Sequence, residues 1–118
     1  MSNAHAFVGM LMNSRTQTHY FHLQTTSYAC HKALEKYYEK IVGLIDSYAE
    51  AYMGQYSRIK PVKMNKRFLT DPKKAPMYFK SLLKRMKAMK LPKDSYLKNS
   101  EDEISTLIHK TLYLLNLK

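Results

Sequence analysis

The sequence predicts an all-α protein, a bundle of four helices that forms one domain over residues 1–118. Apolar residues recur at three- and four-residue steps in four separate stretches, and no stretch shows the two-residue alternation of a strand. Glycine and proline are few, at 3 and 4 of 118 residues, so long helices are not interrupted. A chain of this length can bury a single hydrophobic core.

The first helix is predicted over residues 3–24 and the second from a cap at residues 25–27, Thr-Thr-Ser, to about Met53. Gly54 is the expected stop of the second helix. The short connection makes the two helices antiparallel neighbours. The second helix carries a conventional core stripe, formed by Leu34, Tyr38, Ile41, Ile45, Tyr48 and Tyr52.

The second half of the chain supplies the other two helices. Residues 55–71 have no clean period and are predicted to be a loop, with room for one short helical turn. Asp71 followed by Pro72 is a strong helix start, and the third helix is predicted to reach Lys90. The fourth is predicted to begin at residues 99–100, with three acidic residues, 101–103, at its positive N-terminus.

The termini and the cysteine indicate where the protein works. No run approaches the length of a transmembrane helix, and the N-terminus lacks the basic and apolar regions of a secretory signal. Cys30 stands alone, so an internal disulfide cannot form, and a reducing cytoplasm is expected. A small buried hydrophobe is favoured for Cys30 over a metal ligand.

Metal-binding side chains are concentrated on the second helix. His31, Glu35, Asp46 and Glu50 share one stripe of it. Glu35 and Asp46 are nevertheless roughly 16 Å apart along the axis, too far for one ion to use both. His31 and Glu50 have the same midpoint as Glu35 and Asp46, between Lys40 and Ile41.

That symmetry predicts a homo-oligomer with a two-fold axis. If two copies of the helix cross antiparallel there, His31 faces the second copy's Glu50, and Glu35 faces its Asp46. The mixed imidazole and carboxylate donors suit iron, with zinc or manganese as substitutes. The alternative is a solvated polar face. Lys32, Lys36, Lys40 and Ser47 argue against that alternative, because they already provide the natural water face on another side of the helix.

Two histidines of the first helix lie close in sequence. His19 is a candidate ligand. His22, three residues later, is either a second ligand or a buried, hydrogen-bonded histidine, and we favour the latter. His109, in the last helix, has no acidic residue three positions before it and is expected to be structural or exposed.

The spacing of the candidate ligands resembles the intersubunit ferroxidase motif of the Dps-type mini-ferritins. From His19, the later ligands follow at offsets of 12, 16, 27 and 31, at His31, Glu35, Asp46 and Glu50. The segment 46–50, DSYAE, also resembles that family's Asp-x-x-Ala-Glu. The opening of the chain is similar to short uncharacterised ferritin-like proteins of tailed phages.

The resemblance implies a shortened ferritin-like bundle that assembles into a shell of twelve subunits. Each site would hold one or two irons, with His19, His31 and Glu35 from one subunit and Asp46 and Glu50 from its mate. The protein would then be a ferroxidase-type oxidoreductase that oxidises Fe(II) with peroxide or dioxygen. The expected catalytic residues are His31 and Glu50 as iron ligands and Asp46 as a bridge, in the cytoplasm of a bacterial or phage-infected cell.

The excess of positive over negative charge lies in one segment. Residues 57–98 carry fourteen basic and two acidic side chains, while residues 1–56 are balanced, with four of each. Such a concentration is typical of contact with phosphate backbones and predicts sequence-independent DNA binding and association with the nucleoid. The lysines expected to carry it share the face opposite the core on the third helix: Lys73, Lys80, Lys84 and Lys87.

Other interpretations of the charge stay open. A solvated lysine face would keep a large oligomer soluble, and a basic amphipathic helix can lie on an anionic membrane. The alternative function is a non-enzymatic, basic helical module that binds DNA or protein and has a degenerate metal site.

Overall fold

The computed structural model describes residues 3–63 and 67–117. They form four helices: α1 (Ala4–Gln24), α2 (Tyr28–Gln55), α3 (Ala75–Ala88) and α4 (Ser95–Leu115). A single 3₁₀ turn, Pro72–Lys74, precedes α3. This confirms the all-α prediction, with four helices and a short helical turn between the second and the third.

The first two helices form an antiparallel hairpin. Ser27 ends the connection, and its side chain accepts a hydrogen bond from the backbone N–H of Cys30, as its predicted capping role requires. At the open end of the hairpin the ring of Phe7 meets the ring of Tyr48 edge-on at 4.9 Å. Nearer the turn, Ser14 and Tyr37 share a buried hydrogen bond of 2.7 Å. These contacts fix the register of α1 on α2.

The hydrophobic core lies around α2. On one side α2 packs against α1, and on the other against α4, while α3 packs on α4 and touches α1. The order around the bundle is therefore α1, α2, α4, α3, with one long connection, residues 56–71, between α2 and α3. The largest fully buried side chains come from all four helices: Phe7, Leu11, Phe21, Leu34, Tyr37, Ile41, Tyr48, Phe79, Leu82, Leu97, Ile104 and Ile108.

Hydrogen bonds of Gln17 and His5 attach the long connection to α1. The side-chain amide of Gln17 donates to the carbonyl oxygen of Leu69 at 2.9 Å, and its Oε1 accepts from the backbone N–H of Leu69 at 2.7 Å. Further back, Nδ1 of His5 accepts from the backbone N–H of Lys60. Gln17 is buried, so this pairing with the backbone satisfies an amide that would otherwise be costly to bury.

Two predicted boundaries were wrong. Gly54 does not stop the second helix, because it adopts helical geometry and α2 continues to Gln55. The fourth helix begins at Ser95, four residues before the predicted start. The burial of Leu97 in the core holds that first turn in place.

The third helix follows its prediction closely. The carboxylate of Asp71 accepts from the backbone N–H of Lys73, and Pro72 occupies the first helical position. The first turn is 3₁₀ rather than α, and the helix ends at Ala88, two residues before the predicted Lys90. Within the described residues, no helix combines the length and the apolar character needed to cross a membrane.

Candidate metal centre

Two histidines meet at the closed end of the α1–α2 hairpin. His22 lies in the last turn of α1 and His31 in the first turns of α2, at similar distances from the connection. An antiparallel hairpin therefore places them opposite each other. Their rings are stacked, with centroids 3.6 Å apart and planes inclined by 23°.

Each imidazole is hydrogen-bonded to the backbone of the other residue. Nδ1 of His22 lies 2.8 Å from the carbonyl oxygen of His31, and Nδ1 of His31 lies 3.0 Å from the carbonyl oxygen of His22. A carbonyl oxygen only accepts, so both Nδ1 atoms carry hydrogen and donate. In the neutral form each ring then leaves Nε2 bare. This is the arrangement that second-shell carbonyls impose on metal-binding histidines.

A carboxylate completes the cluster. Glu35 follows His31 by one helical turn, and one potential ligand atom from each of His22, His31 and Glu35 lies within 4.8 Å of the others. The ammonium of Lys32 donates to Oε2 of Glu35 at 3.1 Å. Chiefly through that hydrogen bond, and with smaller contributions from the two nearby histidines, the pKa of Glu35 is held below its ordinary value. The carboxylate is therefore ionised and available as a donor.

The stacking decides how many ions the two rings can serve. A metal lies close to the plane of the imidazole that binds it, at about 2.0–2.1 Å from the nitrogen. Two nearly parallel planes whose ring centroids are 3.6 Å apart do not meet within that distance. One ion between the rings would require them to splay and to give up a carbonyl hydrogen bond. Two ions, one for each ring, are compatible with the stacking, because two-metal sites place their ions about 3.5–4 Å apart.

The predicted ligand His19 lies beside this cluster. Its ring stacks on Tyr38 with centroids 4.5 Å apart and is 5.9 Å from the ring of His22. Tyr38 in turn meets His22 edge-on at 5.2 Å. Burial, and then the charges of Glu35 and Glu39, raise the pKa of Tyr38. Tyr38 and His19 thus form an aromatic wall on one side of the pair of imidazoles.

The other predicted ligands, Asp46 and Glu50, lie further along α2 and are exposed. Within one chain they do not join the cluster at the hairpin turn. Their predicted role depends on a second copy and stays a prediction. At the predicted midpoint, Lys40 is exposed whereas Ile41 is fully buried in the core.

The lysines predicted to contact DNA are all exposed. Lys73 is in the 3₁₀ turn, and Lys80, Lys84 and Lys87 follow along α3. At the α3–α4 connection, a groove is lined by apolar residues that include Met86, Met89 and Leu91 and by four lysines: Lys87, Lys90, Lys93 and Lys98.

Sequence reasoning left the role of His22 open, and the structure places it at the centre of the cluster. The expectation that it is buried and hydrogen-bonded is confirmed, since it is 7% exposed. The signal for its proximity to His31 was present in the sequence. Both residues lie a few positions from the same tight connection, so the predicted antiparallel pairing brings them together.

Comparisons with known proteins bear on the origin of the chain. A family described as "Family of unknown function (DUF5856)" matches residues 22–115. A 57-residue stretch is 37% identical to an uncharacterised 14.6 kDa protein in the mobD-ri intergenic region of Enterobacteria phage T4. That match covers 48% of this chain and 44% of the phage protein. No solved structure shows a significant match.

Proposed function

The chain belongs to the DUF5856 family, and we propose from the geometry of its own residues that it binds Fe(II) at the hairpin turn and oxidises it. In this proposal it is a shortened relative of the Dps-type mini-ferritins. The observation that carries it is the reciprocal tethering of His22 and His31 through their Nδ1 atoms, in a cluster where one potential ligand atom of each imidazole and a carboxylate oxygen of Glu35 lie within 4.8 Å of one another.

The donor set favours iron among the common metals. Imidazole nitrogen suits zinc, copper, nickel and iron, and an added carboxylate moves the preference toward iron and manganese. Sulfur is the donor that would select zinc or copper, and Cys30 is not part of the cluster. Zinc and manganese are therefore expected to bind to the same site in competition with iron.

Iron in this proposal is the substrate. Each imidazole would hold one Fe(II), and the carboxylate of Glu35 would supply a further oxygen donor. Each Fe(II) gives one electron to hydrogen peroxide, the O–O bond breaks, and two protons from solvent complete two molecules of water. The products are two Fe(III) ions. The protein's part is to hold the two one-electron donors together, so that the two-electron reduction of peroxide releases no hydroxyl radical.

The helix arrangement supports the ferritin-like part of the proposal. Ferritin-like bundles have one long crossover connection, and this chain has one, between α2 and α3. Completion of the site by the second copy's Asp46 and Glu50, and assembly into a shell of twelve, remain predictions from the resemblance.

Anaerobic titration with Fe(II), followed by addition of peroxide, tests the proposal. We expect about two Fe(II) bound per chain and a ferric absorbance that forms faster than in the protein-free solution. His31→Ala and Glu35→Ala should each weaken Fe(II) binding by about tenfold or more.

The matched control is His109→Ala, which removes an exposed histidine of α4. It should behave like the wild type. Equal binding by the His31→Ala and His109→Ala proteins would rule out the hairpin site, and oxidation at the protein-free rate would rule out the activity.

Sequence-independent DNA binding is the second candidate function, supported by the exposure of Lys80, Lys84 and Lys87 within the basic segment. Each phosphate contact contributes about −0.9 to the slope of log affinity against log salt. Replacing the three lysines by Gln should therefore flatten the slope by about two to three, measured by fluorescence anisotropy with duplex DNA.

The control removes three cations from other faces, by Arg15→Gln, Lys32→Gln and Lys110→Gln. This control variant should keep most of the salt dependence of DNA affinity that the wild type shows. If both triple variants lose the same amount, binding reflects net charge alone and α3 is not the contact surface.

A further inference from the structure

One face of α2 is exposed to solvent along residues 36–50 in the part of the chain that the structure describes. There the stripe of Asp46 and Glu50 adjoins the stripe of Lys36 and Lys40, with Gly43 between them, and all five residues are exposed. Among residues 3–63 and 67–117, the salt bridges are Lys32 with Glu35 and Lys98 with Glu101, so the four charges of this face have no ionic partner. We call these five residues the α2 face.

The arrangement of charge along this face is unfavourable for a helix on its own. The cations lie toward the N-terminus of α2 and the anions toward its C-terminus. Lys36 and Lys40 are four residues apart, as are Asp46 and Glu50, and like charges at that spacing are unfavourable within one helix. A neighbour that presents the same two charges in the opposite direction would neutralise both ends of the face. A second α2, running antiparallel, has that pattern.

Gly43 lies at the centre of the face. It is helical, and a Cβ added to it would meet no atom within 4 Å. Glycine inside a helix costs roughly 0.5–1 kcal/mol relative to alanine. No contact within the chain uses the missing side chain, whereas a second helix crossing at this point could approach the bare backbone closely.

The charges are placed symmetrically about Gly43. Lys40 and Asp46 lie three residues before and after it, and Lys36 and Glu50 lie seven residues before and after it. Both spacings return to the same side of a helix. From this symmetry we infer that α2 is a homodimer surface, in which two copies cross antiparallel at Gly43. Lys40 then faces the second copy's Asp46, and Lys36 faces its Glu50. The two-fold axis repeats each pair, which gives four ion pairs.

A second copy fits this face better than other partners do. With two lysines and two acids the face has no net charge, so it offers no net attraction to nucleic acid or to an anionic membrane. Next to the face, a groove between α1 and α2 is lined by apolar Met12, Val42 and Ile45 and by polar Arg15, Thr16 and Asp46, and Met12 and Val42 are exposed. That groove adds apolar area at the edge of the crossing, as a stable interface needs.

This register differs from the one in which acids serve as metal ligands. An axis at Gly43 lies about 4 Å along α2 from an axis between Lys40 and Ile41. In the Gly43 register, Asp46 and Glu50 are neutralised by lysines and are not directed at iron. The inference therefore does not depend on the hairpin cluster, and it replaces the predicted completion of the metal site by a second copy's Asp46 and Glu50.

Complementary charge reversal tests the pairing. Variant one carries Lys36→Glu and Lys40→Glu, and variant two carries Asp46→Lys and Glu50→Lys. Sedimentation velocity, in buffer with a chelator so that metal plays no part, gives the mass of each protein and of their equimolar mixture. Circular dichroism checks that both variants are helical.

We expect the wild type to be a dimer. Each variant alone should dissociate, with affinity reduced by about a hundredfold or more because like charges face each other. The mixture should regain the wild-type mass, since all four pairs are restored only between unlike variants. A control with Lys73→Glu and Lys110→Glu, which reverses two lysines away from the face, should stay dimeric.

Three results would overturn the inference: a monomeric wild type, variants that assemble as the wild type does, or a mixture that fails to reassociate. The last would also be the outcome if the axis lay between Lys40 and Ile41, where these lysines do not face these acids. A wild-type assembly larger than a dimer supports the pairing only if each variant reduces it and the mixture restores it.

Discussion

The first turns of α2 and its middle differ in how their polar side chains are held. At the start of the helix, His31 is tied to the backbone of α1, and Glu35 is ion-paired with Lys32. In the middle, Lys40 and Asp46 are exposed and form no salt bridge with another described residue. Both regions belong to the same spaced motif. The polar side chains of the first region are held within one chain, whereas in the inferred dimer a second copy would hold those of the second region.

The largest effect that tests this comparison is expected at His22. His22→Ala removes a buried ring, its stacking on His31 and its hydrogen bond to the carbonyl oxygen of His31. We expect the free energy of unfolding to fall by about 2–3 kcal/mol, measured by urea denaturation without metal.

His19→Ala is the matched control, because His19 is half-buried, stacks on Tyr38 and lies one turn away on the same helix. It should cost clearly less. If the two substitutions cost the same, the reciprocal hydrogen bonds contribute nothing that ordinary packing does not.

A smaller effect of opposite sign is expected in the middle of the helix. Gly43→Ala adds a methyl group into open space and removes the glycine penalty, so the isolated chain should gain about 0.5–1 kcal/mol. Denaturation must be measured at a concentration below that of dimerisation, because the same methyl group is expected to weaken a close helix crossing.

Gly54→Ala is the comparison for that substitution, since its Cβ would also meet nothing but lies in the last turn, where helices fray. It should gain less. Destabilisation of the monomer by Gly43→Ala would show that the glycine is needed within the chain and would remove one support for the α2 face.

The fold was predictable where local chemistry was decisive. Ser27 and the pair Asp71–Pro72 marked helix starts correctly, because a cap satisfies backbone N–H groups wherever the helix packs. The start of α4 was missed, since the acids at 101–103 suggested a first turn that the burial of Leu97 places earlier. Tertiary packing decided that boundary, and a single sequence does not display it.

The candidate site was predictable to a similar extent. The i, i+4 spacing of His31 and Glu35 placed both on one side of α2, as found. The contribution of His22 comes from the register of the hairpin, and Phe7 against Tyr48 and Ser14 against Tyr37 set that register across long sequence distances. The stacking of two imidazoles, and its preference for two ions over one, follows from three-dimensional geometry that spacing alone does not contain.

The amide of Gln17 has a consequence for the longest irregular stretch of the chain. By pairing with the backbone N–H and carbonyl of Leu69, it fixes the connection between α2 and α3 close to the start of α3. This pairing needs a side chain of the length of glutamine that can both donate and accept. Glutamate lacks the donor, and asparagine is shorter by one methylene group. Leu69 thereby divides the connection into a long part, from the end of α2, and a short part that leads to Asp71. Because the short part has few residues, the contact at Leu69 restricts where Asp71 and Pro72 can lie. The N-terminus of α3 is therefore held near α1.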